Sequence, residues 1–171
     1  TFGCCFNDNV NFDTYQFYLT TLSEANTDID IRGKAWKANS SGNRASAIGF
    51  WSADNSYVMI SPDNVFGVSG QVALLIRNGD SGSGGSSTFT YLVSVALDPT
   101  VERAYRITYN RSNNEIKFYY DNTGTWTQIG TTQTVDFGAA QFRVGAFQGI
   151  FNASGGGDVY NDDLEIFYTP E

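Results

Sequence analysis

The chain has 171 residues, carries 10 Lys+Arg against 18 Asp+Glu for a net charge of −8, and contains no histidine. That length suits one domain, residues 1–171, with a sizeable core. The basic residues are scattered singly, so nucleic acid and anionic membranes are poor partners. No apolar run approaches the ~20 residues of a membrane span, and without histidine neither Ser-His-Asp or Cys-His catalysis nor a His-ligated metal can be built. Aromatic residues make up 15% of the chain and charged residues only 16%, against about 25% charged in typical soluble domains. A turn-rich β-structure with a neutral polar surface fits that balance.

The chain begins at Thr1 rather than Met. This fits either a trimmed chain or a mature protein whose leader has been removed. Cys4 and Cys5, the only cysteines, are adjacent. They allow a strained vicinal disulfide, bonds to another chain, or two reduced thiols packed as small hydrophobes. Residues 7–13 read N-D-N-V-N-F-D. Their alternating side-chain oxygens, with Asn9, Asn11 and Asp13 foremost, suit a hard cation such as calcium.

Strand signals follow in order. Residues 11–22 alternate imperfectly and residues 28–37 alternate well. Within 28–37, Asp28 and Asp30 share a strand face and faintly echo the paired acids of glycoside hydrolases. Arg32 or Gly33 stands where a third acid would be, so a solvated strand face and a non-enzyme are expected. Residues 45–51 form a short apolar strand, and 57–60 and 65–68 flank an S-P-D-N turn. Between 51 and 57, Trp51, Asp54, Asn55 and Tyr57 surround one loop. Planar hydrogen-bonding groups beside aromatic rings suit a sugar, which offers hydroxyls and apolar C–H patches. Asn78, Asp80 and Trp126, on or beside other loops, complete the candidate sugar-binding set. Residues 71–77 hold the longest aliphatic run and predict a central strand. Residues 78–87 read as a long hairpin loop leading into a strand over 88–97.

The last third is the most legible. Segments 105–109 and 116–120 are aromatic-rich and joined by the turn 110–114. A second turn, 121–124, leads to 125–130, which carries Trp126. Further strands are predicted over 142–147 and 162–168, and no helical period persists anywhere, so the fold class is an all-β antiparallel sandwich. Asp162 and Asp163 open the last strand. Three glycosylation acceptor triplets begin at Asn39, Asn110 and Asn152, about the number chance supplies.

The order of strands over residues 102–168 resembles the C-terminal half of concanavalin A-like lectin/glucanase jelly rolls, including laminin-G-like modules. The resemblance implies that fold, an extracellular or cell-surface setting, first and last strands lying side by side, and a structural calcium near a terminal Asp. Asp162 and Asp163 would then join Asn9, Asn11 and Asp13 around the ion. The expected function is a lectin-like module that binds a neutral saccharide or glycoprotein. The alternative is a structural or adhesive subunit that self-assembles through the segment with Cys4 and Cys5.

Overall fold

A computed structural model describes residues 12–23, 27–38, 44–52, 56–62, 70–79, 89–151 and 159–169. It contains eleven strands: β1 (Phe12–Leu22), β2 (Asp28–Lys37), β3 (Arg44–Trp51), β4 (Tyr57–Ser61), β5 (Val72–Asn78), β6 (Phe89–Val95), β7 (Arg103–Asn110), β8 (Glu115–Asp121), β9 (Trp126–Thr134), β10 (Arg143–Phe151) and β11 (Val159–Thr169). They form a six-stranded sheet, β1-β10-β3-β4-β5-β6, and a five-stranded sheet, β11-β2-β7-β8-β9. Every pairing is antiparallel. No helix occurs among the described residues. The expected all-β sandwich is therefore observed. β5 and β6 pair as the expected hairpin. The strand read over 65–68 lies outside the described residues.

Alternation builds the core. In β2, Ile29, Ile31, Gly33 and Ala35 are buried while Asp28, Asp30, Arg32, Lys34 and Trp36 are half-exposed. A pleated strand sends successive side chains to opposite faces, so a single sequence period assigns one inner and one outer surface. β7 repeats the pattern with Tyr105, Ile107 and Tyr109 inward, and β8 with Ile116 and Phe118. Against them pack Ile48, Phe50, Val58, Ile60, Leu74 and Ile76 from the other sheet. Phe50, Tyr109, Phe137 and Phe142 close one end through edge-to-face and stacked contacts with centroids 4.9–6.3 Å apart.

The six-stranded sheet departs from simple alternation at its centre. Ala47, Trp51, Met59, Ala73 and Leu75 point away from the core cluster, yet all are buried. Both faces are covered there, and β4 is buried at all five positions. At Gly49 an added Cβ would lie 2.1 Å from the Val58 carbonyl oxygen, so only glycine permits the approach of β4.

One expectation fails. β1 is an edge of the six-stranded sheet, paired with β10, whereas β11 is an edge of the five-stranded sheet, paired with β2. The first and last strands therefore do not pair side by side. β2 lies between β11 and β7, which seats the last strand beside the second rather than the first.

Candidate functional site

The outer face of the five-stranded sheet carries a network of ion-paired and aromatic side chains. The registers Arg32↔Arg106 and Arg106↔Tyr119 set these three residues in one row across β2, β7 and β8. Asp30↔Thr108 and Thr108↔Lys117 set the next row. Paired residues of adjacent strands project on the same side, so the rows form one surface.

Asp30 is its hub. Arg106 donates to the carboxylate through Nε (2.9 Å) and Nη2 (2.8 Å), and Arg32 does so through Nε (3.3 Å) and Nη2 (2.8 Å). Two guanidinium forks on one carboxylate leave it saturated. Partial burial alone raises the Asp30 carboxyl, but the bonds from Arg106 and Arg32 outweigh burial and hold it below the ordinary carboxylate value. The guanidinium of Arg106 sits 5.5 Å from the centre of the Tyr119 ring, and that of Arg32 sits 4.6 Å from the centre of Phe167. Lys117 binds Glu115 at 2.6 Å, which raises the Lys117 ammonium above its usual value.

Beside this hub lies a shallow groove of about 380 Å³, lined among others by Asp28, Asp30, Arg106, Thr108, Asn113 and Tyr119. The β7–β8 turn forms its rim and is held rigidly. The Asn110 side-chain oxygen accepts from the Ser112 amide (3.0 Å), the Ser112 hydroxyl (2.7 Å) and the Asn113 amide (3.3 Å). Asn114 takes a left-handed φ of 58°, and its side chain accepts from the Tyr109 hydroxyl at 3.2 Å. Arg111 anchors the turn from inside. Its guanidinium donates to the carbonyl oxygens of Thr27 (3.2 Å), Gly138 (2.7 Å) and Ala140 (2.6 Å), and its amide donates to Asp28 at 2.7 Å. That last bond fixes one carboxylate oxygen of Asp28 at the groove wall.

Farther along the same face, Lys34 bridges Glu102 (3.0 Å) and Asp163 (2.6 Å), contacts that raise its ammonium, with Asp163 the larger cause. A register shift in β11 between Asp162 and Glu165, where Asp163 has φ of 49°, turns Asp163 toward Lys34. Beyond it, Trp36 and Tyr160 stack with centroids 5.0 Å apart and planes 17° apart.

The residues singled out from sequence fall elsewhere. Trp51 is 2% exposed and Tyr57 8% exposed. Both rings are packed into the central strands of their sheet, which are buried on both faces. The structure does bring Ser56 and the 78–79 segment together: the Ser56 hydroxyl donates to the Asn78 side chain (3.4 Å) and accepts from the Gly79 amide (2.9 Å). Asn78 also donates to the Asp136 carbonyl at 2.9 Å, and so links loops. Trp126 starts β9 opposite Asp121, at the other end of the strand from Asp136, and does not join them. Asp54, Asn55 and Asp80 lie outside the described residues.

Of the expected cation ligands, Asn9 and Asn11 lie outside the described residues, and so does the side chain of Asp13. Asp162 accepts from the Asp163 amide at 2.9 Å, and Asp163 is paired with Lys34. Among the described residues, no group of three His, Cys, Asp or Glu is placed to hold a metal. Sequence reading saw that Asp28 and Asp30 share a face. It missed Arg106, Lys117 and Tyr119, whose only signal was alternation in the two following strands.

No family model matches the chain, and no curated protein matches it in sequence. Solved structures match it in fold. The lectin UEA-II of Ulex europaeus, complexed with galactose, superposes with a TM-score of 0.62 at 12% identity over 94% of this chain and 86% of that one. The CBM2 module of the evolved Dit of Lactobacillus casei BL23 phage J-1 gives 0.52 at 15% identity, over 87% of this chain and 66% of that one. A glycosyl hydrolase family protein from Mycobacterium fortuitum gives 0.55 at 13% identity, over 86% of this chain and 65% of that one. The chain thus spans about two thirds of the latter two. It has the concanavalin A-like jelly-roll fold, a fold shared by lectins, a carbohydrate-binding module and glycoside hydrolases.

Proposed function

We propose that the chain is a non-catalytic, lectin-like module that binds a neutral saccharide in the groove on the outer face of its five-stranded sheet. The carrying observation is the groove's chemistry: Tyr119 with Arg106 over its ring, beside Asp28, Thr108 and Asn113. Sugars need an aromatic face for C–H patches and fixed donors and acceptors for vicinal hydroxyls. Asp28 and Asn113 are positioned by bonds within the protein, so binding would order few side chains, which favours a weak ligand.

Charge supports a neutral ligand. Among the described residues of this face, Arg32, Lys34, Arg106 and Lys117 are each engaged with a carboxylate, and Asp28, Asp162 and Glu165 add surplus negative charge. A sulfated or uronic polysaccharide would meet repulsion with no uncommitted cation to offset it. The same pairing argues against hydrolysis. A glycosidase keeps one carboxyl raised in pKa as a general acid. Here Asp30 is lowered, and Glu115 is paired with Lys117. The neighbours include lectins and a carbohydrate-binding module, which supports the same reading. An extracellular setting belongs to this proposal, since such ligands abound there.

Sugar hydroxyls exchange water bonds for protein bonds at modest net gain, so a dissociation constant from about micromolar to millimolar is expected, roughly −4 to −8 kcal/mol. The test is a glycan array followed by calorimetry on the hits. Neutral hexose or hexosamine ligands should bind, and Tyr119→Ala should weaken them about tenfold or more without loss of folding. A blank array at high protein concentration would overturn the proposal.

A further inference from the structure

The groove is one end of a longer surface. Asp28 marks it on β2, and Trp36 stands at the far end of the same strand on the same outer face. Eight residues of strand span about 26 Å. Across that face, on β8, β11 and β2, stand three aromatic stations. Tyr119 lies in the groove under Arg106. Phe167, 44% exposed, lies beside Arg32 on β11, in the row of Asp30 and Thr108 and so to the side of the path from Tyr119 to Trp36. The Trp36–Tyr160 stack closes the far end, with Tyr160 37% exposed. Between the stations stand hydrogen-bonding groups already fixed by ion pairs: the Arg32–Asp30–Arg106 hub and Lys34 with Glu102 and Asp163.

Exposed aromatics gathered on one sheet face leave apolar surface in water that a ligand can cover. Here Tyr119, in the row of Arg32, and the Trp36–Tyr160 stack, four residues or about 13 Å farther along β2, are separated by the polar groups of Arg32 and Lys34, a span of a few sugar rings. A linear glycan alternates in the same way, with apolar ring faces separated by hydroxyl-rich edges. A terminal monosaccharide would occupy the groove and leave Phe167, Trp36 and Tyr160 bare.

Resting on the saccharide reading above, we infer that the ligand is an internal stretch of a neutral linear polysaccharide, lying along the outer face from the groove at Tyr119 to the Trp36–Tyr160 stack. No terminal sugar residue is needed for recognition. Several weak contacts along one chain add in the manner of linked sites, so affinity grows with the number of stations reached.

The test is calorimetry with ladders of cello-, laminari- and manno-oligosaccharides, from monosaccharide to hexasaccharide, on the full chain. At least one ladder should tighten by about tenfold or more between its short and long members. Trp36→Ala and, separately, Tyr160→Ala should flatten that rise while leaving the monosaccharide constant within a factor of about two. Tyr160 is exposed enough that its truncation should leave folding intact even if loss of Trp36 does not. A flat ladder with Tyr119-dependent monosaccharide binding overturns this inference and leaves the groove standing. A rise that survives both far-end variants also overturns it. Binding of no ladder member overturns this inference, while the glycan array decides the groove.

Discussion

Arg111 is a buried cation that carries the turn beside the groove, and its removal should be costly. It is 9% exposed, and its guanidinium meets three carbonyl oxygens rather than a carboxylate. It also packs on the rings of Tyr109 (5.1 Å) and Phe142 (5.3 Å). Each hydrogen bond from a charged donor contributes roughly 1.5–3 kcal/mol net. Arg111→Ala removes three donors at once. Water can reach the carbonyl of exposed Gly138 more easily than that of buried Thr27, so part of the loss is recovered. A net destabilisation of about 3–5 kcal/mol follows. For a domain of this size that is a drop in Tm of roughly 10 °C. Arg111→Lys keeps the charge but places one ammonium where a fork spans three acceptors, so it should lose about half as much. Urea unfolding gives the free energy directly, with the m-value checked for two-state behaviour. A loss under about 1 kcal/mol for Arg111→Ala would refute the idea that this carbonyl cage holds the end of the sandwich.

Acid should act through Asp30. Its carboxyl is lowered in the folded state, so its stabilisation is present above its unfolded pKa of about 3.9 and is lost as pH falls through the lower folded value. Asp30→Asn should therefore lower stability at pH 7 and flatten its decline below about pH 4; an unchanged acid limb would contradict the hub. Trp51→Ala should cost about 3–5 kcal/mol, as a packed ring, while leaving any sugar affinity of the folded fraction intact; selective loss of binding with normal stability would return Trp51 to the site. If Asn9, Asn11, Asp13, Asp162 and Asp163 share calcium, EDTA should lower the melting temperature by several degrees; melting curves that coincide in EDTA and in millimolar calcium would remove the ion. Cys4 and Cys5 should be oxidised in native material, with each other or across chains, as non-reducing mass spectrometry reads directly; two alkylatable thiols would count against an extracellular history.

How much of this was legible in the sequence varies by element. β2, β7 and β8 announced themselves because each has one wet face, so alternation assigns the side chains of D-I-D-I-R-G-K and R-A-Y-R-I-T-Y without a structure. The centre of the six-stranded sheet was not legible in that way. Trp51 and Tyr57 flank a loop with an Asp-Asn pair, which reads as a sugar site, but both faces of their sheet are covered and the sequence carries no mark of the second cover. The site itself hid behind register. Alternation places Asp30, Arg106 and Tyr119 outward, yet only the pairings Asp30↔Thr108, Arg32↔Arg106 and Arg106↔Tyr119 make them neighbours. Register is fixed by turn geometry and buried packing together, and a slip of one residue would have sent each of them to the core. Arg111 looked like one more scattered base. Its role depends on three backbone carbonyls from two distant segments, and backbone carbonyls leave no trace in composition.

The most direct measurement is an amide chemical-shift map of the isotope-labelled protein titrated with a neutral oligosaccharide that binds. The expected shifts concentrate on the outer face of the five-stranded sheet, at Asp30, Arg106, Thr108, Asn113 and Tyr119, and with longer chains extend to Phe167, Trp36 and Tyr160. Shifts confined to Ser52, Ser56, Asn78 and Gly79 of the other sheet, with that face silent, would contradict the account.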